Sequence, residues 1–281
     1  MKRIAICFSG QPRTWEKCSD TWDLLFHKIE EKFNAEVDIF CQAWDFNTSS
    51  HVVVINKPVN FLHYTGVAIS EEEKKRLVNV MQPKDFIFEN ETASLSSVYQ
   101  TLNRNRNQIM QHGASVIPWA SSQFYAIMRS AHLKKKYEFE HGFKYDMCLR
   151  MRYDLFFDEG QLGCLLGHDL EMPEYNTLYS CHTSHDEHTF PYVRLGDVFW
   201  YSDSVTFDRI CDFYRWYPVI GKKSFPHSSV GTEHTLYFYA KMLNMTISPI
   251  LVDPKIFREA SYLDKKIEAG LTGGLGNHEL I

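Results

Sequence analysis

The sequence predicts an α/β fold, with a Rossmann-type, mostly parallel central sheet flanked by helices in a single domain. Three observations carry that expectation. A β-rich apolar run at 3–8, RIAICF, leads through a short loop into a helical pattern, and a second apolar run, EVDIFCQAW at 36–44, follows almost at once. So short a connection makes β-α-β the natural reading, with a right-handed parallel crossover. Further on, KYDMCLRMRYDLFFD at 144–158 carries Met147, Cys148, Leu149 and Met151 between Tyr145 and Phe156, the pattern of a strand covered by helices on both faces.

Taken in order, the first strand ends on Ser9-Gly10-Gln11-Pro12-Arg13-Thr14. Thr14 is the expected N-cap of a helix whose stripe is Trp22, Leu25, Phe26, Ile29 and Phe33. A glycine turn between a first strand and a first helix can seat a nucleotide on backbone N–H groups and an arginine, although a lone glycine in a turn is usually only a turn. HVVVI at 51–55 reads as a third strand. Ser70-Glu71-Glu72-Glu73 is a capping box opening a helix through Met81, stopped by Pro83, and KDFIFEN at 84–90 is a further strand. Residues 94–118 lack periodicity and read as a loop; closure would let Arg104 and Arg106 reach a phosphate, although a solvated polar loop is the commoner case. Ser121 or Ser122 is expected to cap a helix with Phe124, Ile127, Met128 and Ala131 on one face and Lys134 to Lys136 on another, ending at Gly142.

That helix delivers the chain into the 144–158 strand, whose far end breaks the apolar pattern. Arg150, Arg152 and Asp154 arrive at spacing two and project on one side if the strand persists. Three charges at the rim of a buried strand are costly unless they meet a ligand, a metal or each other. Strand ends are also where open α/β sheets bind ligands. The plainer alternative is an ion pair that ties down a loop.

In the second half, TLYSCHT leads into His182, His185, Asp186, Glu187 and His188, which suit a polar loop better than a zinc site because they do not sit on a helix at a metalloprotease spacing. Val198 to Tyr201 reads as a strand preceded by Asp197, with Asp203 or Ser204 capping a helix that runs to Trp216. SSVGTEHTLYFYAKM at 228–242 reads as a loop and then a helix capped by Thr232, with Glu233 and His234 in its first turn. A glutamate there is favoured by the helix dipole whatever its role. TISPILVDP at 246–254 is a last strand, and the tail at 255–281 is glycine-rich and expected to be flexible.

Composition narrows the function. A net charge of −5 gives no electrostatic reason to bind nucleic acid, and no apolar run approaches the roughly 20 residues of a bilayer span. The expectation is a soluble, cytoplasmic protein without a signal peptide. Its seven cysteines occur singly, as reduced residues do, with no C-x-x-C pair.

The order SGQPRT, VDIFCQAW, WASSQFYAIMRSAHLKKKYE and KYDMCLRMRYDLFF resembles a family of small GT-A-like, nucleotide-sugar-dependent glycosyltransferases found among bacterial, viral and phage sugar-modifying enzymes. The resemblance implies a donor half at 1–160 and an acceptor half at 161–254. It also implies transfer of a hexosyl-type sugar from a nucleoside diphosphate to a hydroxyl of a glycan or glycoconjugate. Such enzymes carry a D-x-D motif that holds a divalent cation on the diphosphate, and here the triplet is Arg152-Tyr153-Asp154. Either Asp154 binds Mn²⁺ or Mg²⁺ with help from later residues such as His278, or Arg152 itself neutralises the diphosphate. Ser9, Gly10, Gln11 and Arg13 would contact the nucleotide, Asp197 the acceptor, and Glu233 the acceptor hydroxyl proton. A sugar nucleotidyltransferase or phosphosugar transferase would use the same donor geometry, and a non-catalytic nucleotide-sugar-binding module is the remaining alternative.

Overall fold

Strand β1 (Lys2–Gly10) is buried without interruption from Ile4 to Ser9, so it needs cover on both faces. Helix α1 (Trp15–Phe33) supplies one face, packing Trp22, Leu25 and Ile29 against Ile4, Ile6 and Phe8. β2 (Ala35–Trp44) then pairs parallel with β1, as the two-run pattern predicts. The computed structural model describes residues 1–48, 66–95, 117–181, 195–216, 232–250, 252 and 255–256. The expected strand at 51–55 lies outside them, as do Arg104, Arg106 and the 182–188 histidines.

A small hairpin, β3 (Phe46–Thr48) with β4 (Gly66–Ala68), precedes α2 (Glu71–Met81) and β5 (Asp85–Glu89). Ser70 caps α2 by accepting from the Glu73 backbone N–H at 3.1 Å. A turn of helix, α3 (Glu91–Ser94), follows, and then α4 (Ile117–His141), which covers the second face of the sheet with Phe124, Ile127 and Ala131 against Ala5, Cys7 and Phe40. The remaining elements are β6 (Met147–Met151), β7 (Leu155–Phe156), α5 (Glu159–Cys164), β8 (Thr177–Cys181), β9 (Trp200–Ser202), α6 (Ser204–Cys211), α7 (Thr232–Met242), β10 (Thr246–Ile250) and β11 (Lys255–Ile256). β7 and β11 pair antiparallel beside the main sheet.

The main sheet has seven strands in the order β10-β8-β9-β6-β1-β2-β5. All run the same way except β9, which lies antiparallel between β6 and β8. The expected mostly parallel α/β sheet is therefore present, with helices on both faces. No helix among the described residues is long and apolar enough to cross a membrane.

Local expectations differ from the structure at four points. Thr14 stands at the N-cap of α1 but makes no side-chain capping bond there; a backbone turn, Trp15 N–H to Pro12 O at 2.9 Å, forms the entry instead. α4 is already helical at Ile117, ahead of Ser121 and Ser122, so neither serine is its N-cap. α6 is capped by Asp203 as expected, yet it stops at Cys211, where Asp212 turns the chain before Trp216.

The fourth is Lys134, which the sequence places apart from the apolar face and which is nevertheless fully buried. Its ammonium donates to Ser204 Oγ at 2.6 Å and Glu138 Oε2 at 3.2 Å, and lies 2.8 Å from Asp208 Oδ1. Glu138 also accepts from the Lys144 ammonium at 2.6 Å and the Tyr145 N–H at 3.0 Å. Each buried charge thus has several partners, and the network ties α4 to α6 and to the start of β6. Burial pushes the Glu138 carboxyl up, but Lys134, Lys144, Ser204 and the Tyr145 N–H outweigh it and hold the carboxyl below its usual 4.5.

A depressed carboxyl contributes stability that is complete above its unfolded value and is lost as pH falls through the folded one. Glu138→Gln is expected to cost about 3 kcal/mol at pH 7, because it strands the buried Lys134. It should also flatten the loss of stability below pH 4.5. Urea melts of both proteins from pH 7 to pH 3 check this; parallel acid limbs would remove Glu138 as their source.

Candidate functional site

The carboxyl ends of β1, β2 and β6 meet the amino end of β9 at one edge of the sheet, because β9 alone runs backwards. Register sets which side chains share it. Cys7 lies beside both Phe40 and Arg150, Arg150 beside Trp200, and Ser9 beside Gln42, so Ser9, Gln42, Arg150 and Trp200 all project from the face that α4 covers.

Gly10 closes β1 with φ 113°, a conformation only glycine adopts readily, and its N–H donates to Gln42 Oε1 at 3.2 Å. The chain then turns through Arg13, itself left-handed at φ 39°, whose Nε donates to Gln11 Oε1 at 2.9 Å. This bend places the Arg13 guanidinium 3.6 Å from Asp154 Oδ2.

The expectation that Arg150, Arg152 and Asp154 alternate on one strand face fails because β6 ends at Met151. Beyond it, Arg152 grips Asp154 through two parallel bonds, Nε to Oδ1 at 2.8 Å and Nη2 to Oδ2 at 2.7 Å. Such a fork is the strong form of the arginine–carboxylate pair. The Asp154 side chain is 2% exposed, whereas those of Arg152 and Arg13 keep 19% and 15% of their surface. Burial presses the Arg152 pKa down, but the Asp154 charge and bonds, with a smaller push from Asp197, raise it above the usual arginine value.

Arg150 is different. It is 1% exposed, donates through Nη1 to Val198 O, and lies over the Trp200 ring at 5.4 Å, yet its Nε has no partner and it forms no ion pair among the described residues. Burial first, then the Arg152 charge, lowers its pKa; Asp197 and Asp154 work against that from a distance. Ser9 Oγ, Gln42 Nε2 and Trp200 Nε1 are also buried without partners among the described residues. All four atoms can donate, so this edge lacks acceptors.

Asp197 reaches the cluster through a close backbone approach. A Cβ on Gly196 would sit 2.3 Å from Cys181 O, so only glycine fits, and the Gly196 N–H donates to that oxygen at 3.1 Å. Asp197 then accepts from Gln123 Nε2 on α4 at 2.7 Å. Glu89, at the end of β5, holds α4 over this edge by accepting from Arg129 Nε at 3.0 Å and Tyr125 OH at 3.1 Å.

The structure therefore gathers Ser9, Gly10, Gln11, Arg13, Arg152, Asp154 and Asp197 at one edge. Glu233 falls in the first turn of α7, its side chain outside what is described, and His278 lies outside the described residues. Sequence reasoning did not pick out Gln42, Gln123 or a role for Arg150. A glutamine inside the apolar run of β2 was the available signal for the first. Among the described residues no group of three His, Cys, Asp or Glu side chains is arranged to hold a metal. Both Asp154 oxygens face Arg152, so this donor set does not fit a divalent cation there.

No family model matches the sequence, and no curated protein matches it. Among solved structures it is similar to the apo crystal structure of mouse xyloside xylosyltransferase 1, at 7% identity and a TM-score of 0.33, over 88% of this chain and 84% of that one. A likeness at that score carries no argument about activity.

The two kinds of charge at the edge are expected to respond oppositely to removal. Asp154→Ala leaves Arg152 and Arg13 without their carboxylate and should cost about 3 kcal/mol, whereas Arg150→Met removes an unpaired buried cation and should cost less than about 1 kcal/mol or stabilise. Urea titration of the two variants decides; a loss above about 3 kcal/mol in Arg150→Met would mean that its guanidinium is compensated within the fold.

Proposed function

We propose that this protein is a glycosyltransferase that moves a sugar from a nucleoside-diphosphate donor to a hydroxyl of a glycan or glycoconjugate. One observation carries the reading: three guanidiniums, Arg13, Arg150 and Arg152, sit with two carboxylates, Asp154 and Asp197, at the sheet edge where open α/β sheets bind ligands, an excess of one positive charge among these five groups. A diphosphate supplies the missing acceptors and negative charge.

The chemistry asks for that charge. In the transfer, the acceptor oxygen bonds to C1 of the sugar while the bond from C1 to the diphosphate oxygen breaks, its electron pair leaving with the nucleoside diphosphate. Fixed cations on the leaving group lower this barrier by about 3 kcal/mol or more. Arg152 and Arg13 meet the diphosphate, and the Ser9-Gly10-Gln11 turn meets the nucleotide. Asp197, held by Gln123, faces the acceptor side. Glu233, in the first turn of α7, takes the hydroxyl proton. The donor side belongs to residues 1–160 and the acceptor side to 161–254.

UDP or GDP at one hundred times its Kd should stabilise the folded protein by about 2.7 kcal/mol, and Arg152→Ala should remove that shift. With a sugar donor and glycan acceptors, the released product should be the nucleoside diphosphate. Pyrophosphate or nucleoside monophosphate would point to nucleotidyl or phosphosugar transfer. Binding without any product would leave a nucleotide-sugar-binding module, and no shift from any nucleoside diphosphate would end the proposal.

A further inference from the structure

We infer that the guanidiniums of Arg13, Arg150 and Arg152, and not a divalent cation, neutralise the diphosphate, and that Asp154 is the positioning residue which holds Arg152 and Arg13 toward it. This rests on the nucleotide reading above and assigns the charge chemistry of that same site. A metal ligand must present an oxygen edge to the cation, and both Asp154 oxygens accept from Arg152 at 2.8 and 2.7 Å. A cation at Asp154 would have to displace the Arg152 fork, with the Arg13 guanidinium a further like charge 3.6 Å from Oδ2. Such a site trades two strong bonds for a cation held among guanidiniums.

The arginines, by contrast, suit a phosphate oxygen. Arg152 spends two of its five donors on Asp154 and keeps 19% of its side chain exposed, so the rest of the fork remains available to a ligand. Arg150, two residues earlier, is buried and without an ion pair among the described residues, so its charge is weakly screened. Part of the charge that a divalent metal would bring is already built into the fold. Asp154 then does for the arginines what the ligands of a metal do for the metal.

The deciding experiment is calorimetric titration of the full-length protein with UDP and GDP, in EDTA and again in Mn²⁺ or Mg²⁺. For wild type, the Kd in EDTA should lie within about threefold of that with metal. Arg152→Gln, which keeps a planar polar side chain, should weaken binding about tenfold or more in both buffers. Asp154→Ala, its folding checked by circular dichroism, should weaken binding by the same factor with and without metal, since it acts through the arginines. Binding seen only with metal and abolished by Asp154→Ala would overturn this inference and leave the proposed function standing. Absence of binding in both buffers would overturn the proposed function and this inference with it. The wild-type comparison decides the matter even where a variant fails to fold.

Discussion

A strand covered on both faces offers its side chains no water, and β6 nevertheless holds an arginine there. Arg150 costs free energy wherever it finds no negative charge, and the surrounding architecture reads as a response to that cost. The indole face of Trp200 and the carbonyl of Val198, both brought by β9 and the segment before it, take part of the guanidinium. Asp197 contributes from the segment just before β9, at a distance that offsets without pairing. Arg152, a like charge on the same exit, is tolerated because Asp154 binds it through two bonds.

The same face of the sheet holds a second buried cation whose treatment is the opposite. Lys134 has Glu138, Asp208 and Ser204 within bonding distance, and Glu138 is further satisfied by Lys144 and the Tyr145 N–H. Its role is complete within the chain: it fastens α4 to α6 and β6. Two buried cations, one on α4 and one on the strand beneath it, the first with carboxylate partners and the second with none among the described residues, separate scaffold from site without any appeal to sequence motifs. A cation that the fold does not satisfy is one that something else must.

Much of this was legible in the residues. The run from RIAICF to EVDIFCQAW fixes a parallel β-α-β unit because period and connection length leave little choice, and the Ser70 N-cap marks the start of α2 by local chemistry alone. The charges at Arg152 and Asp154 stand out because they interrupt an apolar run. What could not be read depends on residues distant in the chain. Lys134 looks like a solvent-facing lysine until α6 brings Asp208 to it. Ser121 looks like a cap until the helix is seen to begin at Ile117, and burial then places Ser121 in the core. Gln123 and Asp197 join the site only through the reversal of β9, and no spacing along the sequence encodes that reversal.

The position of β1 at the middle of the sheet has a consequence for how the chain reaches this state. Ile4 to Phe8 pair on one side with β2, which follows directly, but on the other side with Met147 to Met151. A ribosome releasing the chain from its amino terminus frees the first pair long before the second. Until β6 emerges, β1 presents an unsatisfied hydrogen-bonding edge lined by side chains that later vanish into the core, the kind of edge on which chains aggregate. The closing of the sheet is also the step that first sets Arg150 beside Cys7 and carries the charged edge toward the β1 turn. The charged edge and the closed flank of β1 therefore depend on the same strand pairing.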